Sequence, residues 1–250
     1  MGGFLVDPAD VQDDTLVLRG EEAHHLARVR RHRQGEVVEV VDGAGNWYQV
    51  LIENLDRDQV RAQILDRQQD RGESPVRLTL AAALVKGQRF DFLVEKATEL
   101  GVAELVPLLT ERGVVRPGSE HKTARWEHLA RAALKQCGRS RLPLVAAPTV
   151  LGTVVRSGVE EGQQVLLAVP TGGEKLRRCL EGRRAERLIL AIGPEGGFSP
   201  GEVEAARRLG ARIFSWGNRV LRSETAGMVL AALVLHEAEH TLGKGEQLEP

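Results

Sequence analysis

Up to about residue 70, apolar and polar positions alternate in short β-branched runs, "TLVLRG", "EVVEVVDG", "WYQVLIENL" and "QVRAQILDR", separated by Gly, Asp and Asn. Successive side chains of a strand leave opposite faces of a sheet, so a period of two predicts half-buried strands joined by turns. The pattern implies a small barrel with one inserted helix over about residues 21–31. The polar stretch "DRQQDRGESP", ending at Pro75, reads as a linker. It divides the chain into a β unit over 1–72 and a larger unit over 73–250.

Beyond the linker the period changes. "VRLTLAAALV" is apolar on both faces, as a strand buried in a parallel sheet must be. Phe90, Leu93, Val94 and Ala97 then recur at helical spacing, with Gly101 as the stop. Trp126, Leu129, Ala130, Ala133 and Cys137 mark the buried face of another helix, which stops at Gly138 and carries a basic patch on its other face. Three further apolar strands, "VLLAV", "LILAI" and "RIFSW", each lead into a loop. Strands alternating with amphipathic helices argue for a parallel α/β architecture.

In open parallel sheets ligands lodge beyond the carboxyl ends of the strands, which directs attention to "PTGGEK", "GPEGGFSPGE" and "GNRVLRSETAG". In the middle loop Ser199 has the place of an N-cap, Pro200 of N1 and Glu202 of N3, which completes a capping box. Phe198 and Val203 stand at the positions of its hydrophobic staple. "GPEGG" is then a tight strand-to-helix turn in which Gly193, Gly196 and Gly197 permit positive φ and close approach of a ligand. It is neither G-x-G-x-x-G nor a P-loop, and Glu195 at its centre would repel phosphate. An adenosine-like ligand without phosphate and with a positive centre suits it. In the third loop, a purely structural account makes Ser223 an N-cap and places Glu224 at the positive end of a helix dipole. That account leaves Val220 and Leu221, set between Arg219 and Arg222, unexplained.

With 42% hydrophobic and 28% charged residues, the composition is that of a globular protein and excludes a disordered one. Cys137 and Cys179 lack C-x-x-C spacing, so neither a disulfide framework nor a cysteine zinc site is expected and a reducing cytosol fits. No apolar run reaches the roughly 20 residues of a membrane span, and the start "MGGFLVDPADVQDD" has no secretory pattern. Bulk charge is balanced, 34 Lys plus Arg against 35 Asp plus Glu, but cations cluster locally. "RVRRHR" holds Arg28, Arg30, Arg31 and Arg33, and residues 122–141 hold six cations against the single anion Glu127. Two such patches in a neutral chain favour a nucleic-acid partner.

His236, Glu237 and His240 match the zinc-protease pattern H-E-x-x-H. The longer form of that pattern needs a His or Asp at position 246, where this chain has Glu246. The apolar run "AGMVLAALVL" before it makes these residues the polar end of a long helix that starts near Ser223 and stops at Gly243. A zinc hydrolase is therefore a remote alternative, and no metal is expected.

Five blocks resemble the RsmE family, in that family's order: "HHLARVRRHRQGE", "KGQRFDFLVEKATELGV", "KQCGRS", "GPEGGFSPGEVEAA" and "GNRVLRSETAG". The last two are highly specific. RsmE proteins are S-adenosylmethionine-dependent methyltransferases of the SPOUT class that modify N3 of one uridine in 16S rRNA. The resemblance implies an α/β protein whose C-terminal SPOUT domain carries a deep trefoil knot, beside an N-terminal PUA-like or OB-like β-barrel. It further implies a cytoplasmic homodimer joined through the C-terminal domain, acting on 16S rRNA within the small ribosomal subunit, with no membrane and no metal.

On the same resemblance, Val169, Pro170, Ile192, Gly193, Pro194, Gly196, Gly197, Trp216, Gly217, Val220 and Leu221 would hold S-adenosylmethionine. Arg222 would steady a developing uracil anion or position the RNA, with Glu224 and Glu195 as candidate bases. Arg28, Arg30, Arg31, Lys135, Arg139 and Arg141 would hold RNA phosphates. The chain departs from the family in starting "MGGFLVDP" rather than with an arginine-bearing segment, and in "VRR" where "VLR" is usual. A non-catalytic rRNA-binding assembly factor is the alternative reading, and the intact fourth and fifth blocks argue against it.

Overall fold

The computed structural model describes residues 3–56, 58–114, 121–181 and 186–243. They fall into two units, Met1–Glu73 with Ala130–Leu142, and Ser74–Leu129 with Pro143–Pro250.

In the first unit, strands β1 (Phe4–Leu5), β2 (Val11–Gln12), β3 (Thr15–Arg19), β4 (Val37–Val41), β5 (Asn46–Leu55) and β6 (Gln59–Gln69) form one sheet. Their order is β1-β4-β5-β6-β3-β2, antiparallel except for β1 against β4. The β5/β6 register slips at Gln49/Val50 and Ile52/Asn54. Such bulges bend strands and deepen their twist, and the sheet curls around Leu16, Leu18, Val40, Val50, Ile52 and Val60, each at most 1% exposed. Edge strands β1 and β2 do not pair with each other among the described residues, so the expected barrel is curled but open.

The inserted helix is shorter than expected. Helix α1 (Gly20–His24) passes into a π-helical turn, His25–Val29, where the Arg30 N–H donates to the His25 carbonyl at 2.9 Å. Ala23 and Leu26 stay in the core, and Arg31 ends the turn in the left-handed region at φ 58°. The first part of the expected linker is strand, since β6 continues until Gln69 faces Asn46. Ala130–Leu142 groups with this unit although helical periodicity runs unbroken through Ala130. Leu134 packs on Val41 and Trp47, and Arg139, 4% exposed, pairs with Glu73 at 2.6 Å.

The second unit runs β7 (Arg77–Ala83), α2 (Arg89–Glu99), β8 (Glu104–Leu109), α3 (His121–Cys137), β9 (Leu144–Val145), β10 (Thr149–Val150), α4 (Leu151–Glu160), β11 (Gln164–Val169), α5 (Leu176–Leu180), β12 (Arg187–Ile192), α6 (Pro200–Arg208), β13 (Arg212–Ser215) and α7 (Ser223–Gly243), the end of α3 belonging to the first unit. The sheet is parallel throughout, in the order β10-β8-β7-β12-β11-β13 with β9 also on β8. Helices α4 and α6 cover one face through Leu151, Val155, Val165, Leu167, Ile189 and Phe198. The alternate residues Leu78, Leu80, Leu188 and Leu190, all 0% exposed, serve the other face, where α7 crosses β7 and β12 and packs on α2. Burial on both faces is why these strands read as unbroken apolar runs. The pattern hides β8, because Pro107 within it argues against a strand, and the two-residue strands β9 and β10, which are too short to show a period. Among the described residues no helix is long and apolar enough to cross a membrane.

Candidate functional site

Strand β11 pairs with β12 on one side and β13 on the other, so their three carboxyl ends stand side by side. The loops that follow converge on one slot, lined by Val169 and Pro170 at the end of β11, by 192–195 and Gly197 at the end of β12, and by Trp216, Arg219, Val220 and Leu221 after β13. Ser223, Ala226 and Leu230 of α7 close it from behind. The free space is about 570 Å³ counted to the open mouth. The wall with least packing is that of 216–221, where Val220 is 82% exposed.

The middle loop is held by several local devices. Ser199 accepts from the Glu202 N–H at 3.1 Å, and Glu202 returns a bond from the Ser199 N–H at 2.8 Å, so the capping box is complete. The second oxygen of Glu202 accepts from the Glu111 N–H at 3.0 Å, tying the end of β8 to the start of α6. The Gly197 N–H closes a turn on the Pro194 carbonyl at 2.8 Å. Of the three glycines expected to need positive φ, Gly197 has it at 66°. Gly193 is required for a different reason: a methyl group there would lie 3.0 Å from the Phe198 nitrogen and 3.2 Å from its ring. The Gly196 carbonyl accepts from Arg112 Nη1 at 2.8 Å. Glu195 is ion-paired with Arg89 at the start of α2.

The other two loops are fastened differently. Gly173 lies against the backbone of β13, where the Glu174 N–H donates to Ile213 O and the Ser215 N–H to Glu174 O, both at 2.9 Å. Arg212 reinforces this crossing through Glu174 at 2.8 Å. Ser223 is not an N-cap: it is the first residue of α7, and the Arg222 carbonyl accepts from the Ala226 N–H at 2.8 Å. The Ser223 hydroxyl instead donates to the Gly193 carbonyl at 2.8 Å, stitching the third loop to the middle one.

Nine of the eleven cofactor candidates therefore line a single slot, while Gly196 and Gly217 sit in its loops without lining it. The catalytic candidates separate. Glu195 is on the wall, Arg222 is exposed, and Glu224 is 7% exposed with its Oε2 buried and lacking any hydrogen-bond partner among the described residues. Arg219, within the third cofactor loop, also lines the slot, as do Ala168, Ser223, Ala226 and Leu230, which are not among the sequence candidates for it. For Ala226 and Leu230 the helical spacing from Ser223 was the available signal. Arg219 lies over the Trp216 ring at 5.7 Å, a cation–π contact that steadies the loop.

The basic residues also separate. Arg28, Arg30 and Arg31 are exposed on the π-helical turn and just beyond it. Lys135 is paired with Glu22 and Arg141 with Asp70, each at 2.5 Å, with part of each side chain in solvent. Arg139 must be removed from the phosphate-binding set, because it is buried against Glu73. At the end of α7 the rings of His236 and His240 stack at 6.1 Å, and Glu237 pairs with Arg177 at 3.8 Å. Position 246, where the zinc pattern needs a further ligand, lies outside the described residues. No group of three His, Cys, Asp or Glu suited to a metal occurs among the described residues.

Comparison with known proteins covers nearly the whole chain. Residues 72–235 match the family model of an RNA methyltransferase domain, and residues 18–65 that of an RNA methyltransferase PUA domain. The ribosomal RNA small subunit methyltransferase E of a Synechocystis species is 34% identical, over 92% of this chain and 76% of the relative. That of Mycobacterium tuberculosis is 32% identical over 92% and 90%. Among solved structures, the ribosomal RNA small subunit methyltransferase E of Neisseria gonorrhoeae bound to S-adenosylmethionine superposes with a TM-score of 0.84, at 28% identity over 94% of this chain and 97% of that one. A putative methyltransferase of Legionella pneumophila, in complex with the same cofactor, superposes with a TM-score of 0.80, at 31% identity over 94% and 98%.

Proposed function

The chain belongs to the ribosomal RNA small subunit methyltransferase E family, and from that premise we propose that it transfers the methyl group of S-adenosylmethionine to N3 of a specific uridine in 16S rRNA. The observation that carries the reading is the convergence of three strand-end loops on one slot. The slot suits this cofactor: its walls are mainly apolar side chains and backbone groups, with Glu195, Arg219 and Ser223 the polar exceptions, and the Glu195 carboxylate, shared with Arg89, favours a sulfonium over a phosphate.

When bound, S-adenosylmethionine supplies an electrophilic methyl group. Val169, Pro170, Ile192, Gly193, Pro194, Gly197, Trp216, Val220 and Leu221 enclose it, with Gly196 and Gly217 shaping the loops. The chain's task is then to position the nucleophile and manage its proton. Uracil N3 keeps an imide proton at neutral pH, so a group must accept it or the anion must be stabilised. Glu224, next to slot-lining Ser223 in the first turn of α7, is the candidate acceptor: its buried Oε2 has no hydrogen-bond partner among the described residues, although Glu224 does not itself line the slot. Arg222, exposed at the start of α7, steadies the uracil anion or places the RNA. Glu195, held by Arg89, fixes the turn rather than moving a proton.

The same reading assigns RNA phosphates to Arg28, Arg30 and Arg31, with Lys135 and Arg141 contributing their solvent-facing sides. It makes the protein a cytoplasmic homodimer that acts on the small ribosomal subunit. Half-exposed Met228, Val229, Ala232 and Leu233 on α7, with Phe92 on α2, support the dimer. The position of β13 outside β11 and the return of α7 onto β7 and β12 support the trefoil knot.

The test is incubation with labelled S-adenosylmethionine and small ribosomal subunits lacking the modification, followed by nucleoside analysis. Label at uridine N3 is expected, and Arg222→Ala is expected to abolish it with unchanged circular dichroism. Absence of transfer with retained rRNA binding would instead favour the non-catalytic assembly factor.

A further inference from the structure

A second cavity opens at the carboxyl end of β7, with about 980 Å³ of free space counted to its mouth. Strand β7 is where the sheet grows in both directions, with β8 on one side and β12 on the other. Loops diverge to opposite faces at such a point, and ligands of parallel sheets collect there. The three-loop slot uses the ends of β11, β12 and β13, so this position has no role in what has been assigned above.

The walls of the cavity combine three kinds of group. Leu84, Val85 and Trp126, 4%, 5% and 4% exposed, make an apolar floor. Trp126 is fixed by its Nε1–H bond to Asp91 at 2.9 Å and by the Phe90 ring at 4.6 Å. Arg125, 58% exposed, is oriented by the other oxygen of Asp91 at 2.7 Å. At the rim, the side chains of Lys86 and Gln88 are exposed and have no hydrogen-bond partner among the described residues. Two cations, of which Arg125 is shared with the Asp91 carboxylate in the same wall, and a free amide over a rigid apolar floor match a nucleotide: phosphate oxygens meet cations, a base face covers apolar surface, and an amide reads a base edge. The Arg89–Glu195 pair joins α2, which walls this cavity, to the turn of the methyl-transfer slot.

Resting on the reading of that slot as the methyl-transfer site, we propose that this cavity holds the RNA nucleotide next to the target uridine. Lys86 and Arg125 take its phosphate, and Gln88 takes an edge of its base.

Lys86→Ala and Gln88→Ala test this at exposed positions. Each is assayed for transfer to small ribosomal subunits lacking the modification, for cofactor affinity by calorimetry, and for subunit binding across a KCl series at constant Mg²⁺. Lys86→Ala is expected to raise KM for the subunit roughly fivefold, the scale of one charge-assisted contact. It should also lower the slope of log affinity against log salt by about 0.7, the value for one single-strand phosphate. Gln88→Ala should raise KM without changing that slope, and both should leave kcat and cofactor affinity unchanged. Unaltered KM and slope in both variants, or a loss of cofactor affinity in either, overturns the proposal. The slope is measured without turnover, so lack of transfer by the unsubstituted protein would overturn the methyl-transfer reading while this test still stands.

Discussion

Replacing Gly173 by alanine tests how the slot is built. The added methyl would lie 2.6 Å from the Cα of Phe214 and 2.6 Å from the nitrogen of Ser215, and closer still to the Phe214 carbonyl carbon. All three neighbours are backbone, so no side chain can rotate away. Ordinary contact begins at 3.4 Å, so the loop must lift by about 1 Å, the scale of overpacking that costs roughly 1–3 kcal/mol. The same shift stretches the two 2.9 Å bonds that Glu174 makes with Ile213 and Ser215, each contributing about 0.5–1.5 kcal/mol. The sum is about 2–6 kcal/mol, which for a protein of this size lowers Tm by roughly 4–24 °C. Because Val169 and Pro170 enter the slot from the same loop, cofactor affinity should fall as well. Thermal unfolding followed by circular dichroism, with calorimetric titration of S-adenosylmethionine, measures both. A variant that melts within 2 °C of the parent, a shift of about 1 kcal/mol or less, and binds the cofactor normally would refute the close-crossing argument.

Ser223→Ala removes the hydroxyl that satisfies the Gly193 carbonyl; a loss of about 1–3 kcal/mol and weaker cofactor binding are expected, with Ser223→Thr restoring both in melting and titration. Arg139→Ala leaves the largely buried Glu73 carboxylate without its counter-charge, held only by hydrogen bonds such as those from the Ser140 and Arg141 N–H groups, which should cost roughly 3–5 kcal/mol in urea denaturation, yet leave the salt dependence of RNA binding unchanged. The Cys179 thiol is buried and desolvation raises its pKa above the usual cysteine range. Ellman's reagent near pH 8 should therefore modify Cys137 in the folded protein and reach Cys179 only on unfolding; two equivalent fast thiols would contradict the packing.

What could be read in advance was whatever leaves a local mark. Ser199, Pro200 and Glu202 lie within four positions, and their capping chemistry placed the start of α6 and hence the turn before it. The apolar runs of β7, β11 and β12 were legible because both faces of the sheet are covered. Contacts made across long stretches of chain were not. Arg139 reads as one more cation in a basic patch until Glu73, 66 residues away, is found against it. Gly193 invites an explanation from backbone freedom, whereas the structure gives one from the Phe198 ring. Ser223 reads as a cap in the sequence because its partner, the Gly193 carbonyl, is 30 residues upstream. The π-helical turn has no period of its own to announce it, and only the exposed arginines around it drew attention.

The parallel sheet also sets a timetable. Arg77 of β7 pairs with Arg187 of β12, so β7 leaves the ribosome 110 residues before its partner is made. At about 5–20 residues per second that edge stays open for roughly 5–20 s, with β8 alone on the other side. Strand β11 is synthesised before β12 but reaches β7 only through it. A chain released early, before β12, therefore cannot seat the first wall of the slot on the sheet. The strand order thus acts as a completeness check, and truncated products would bind neither cofactor nor RNA productively.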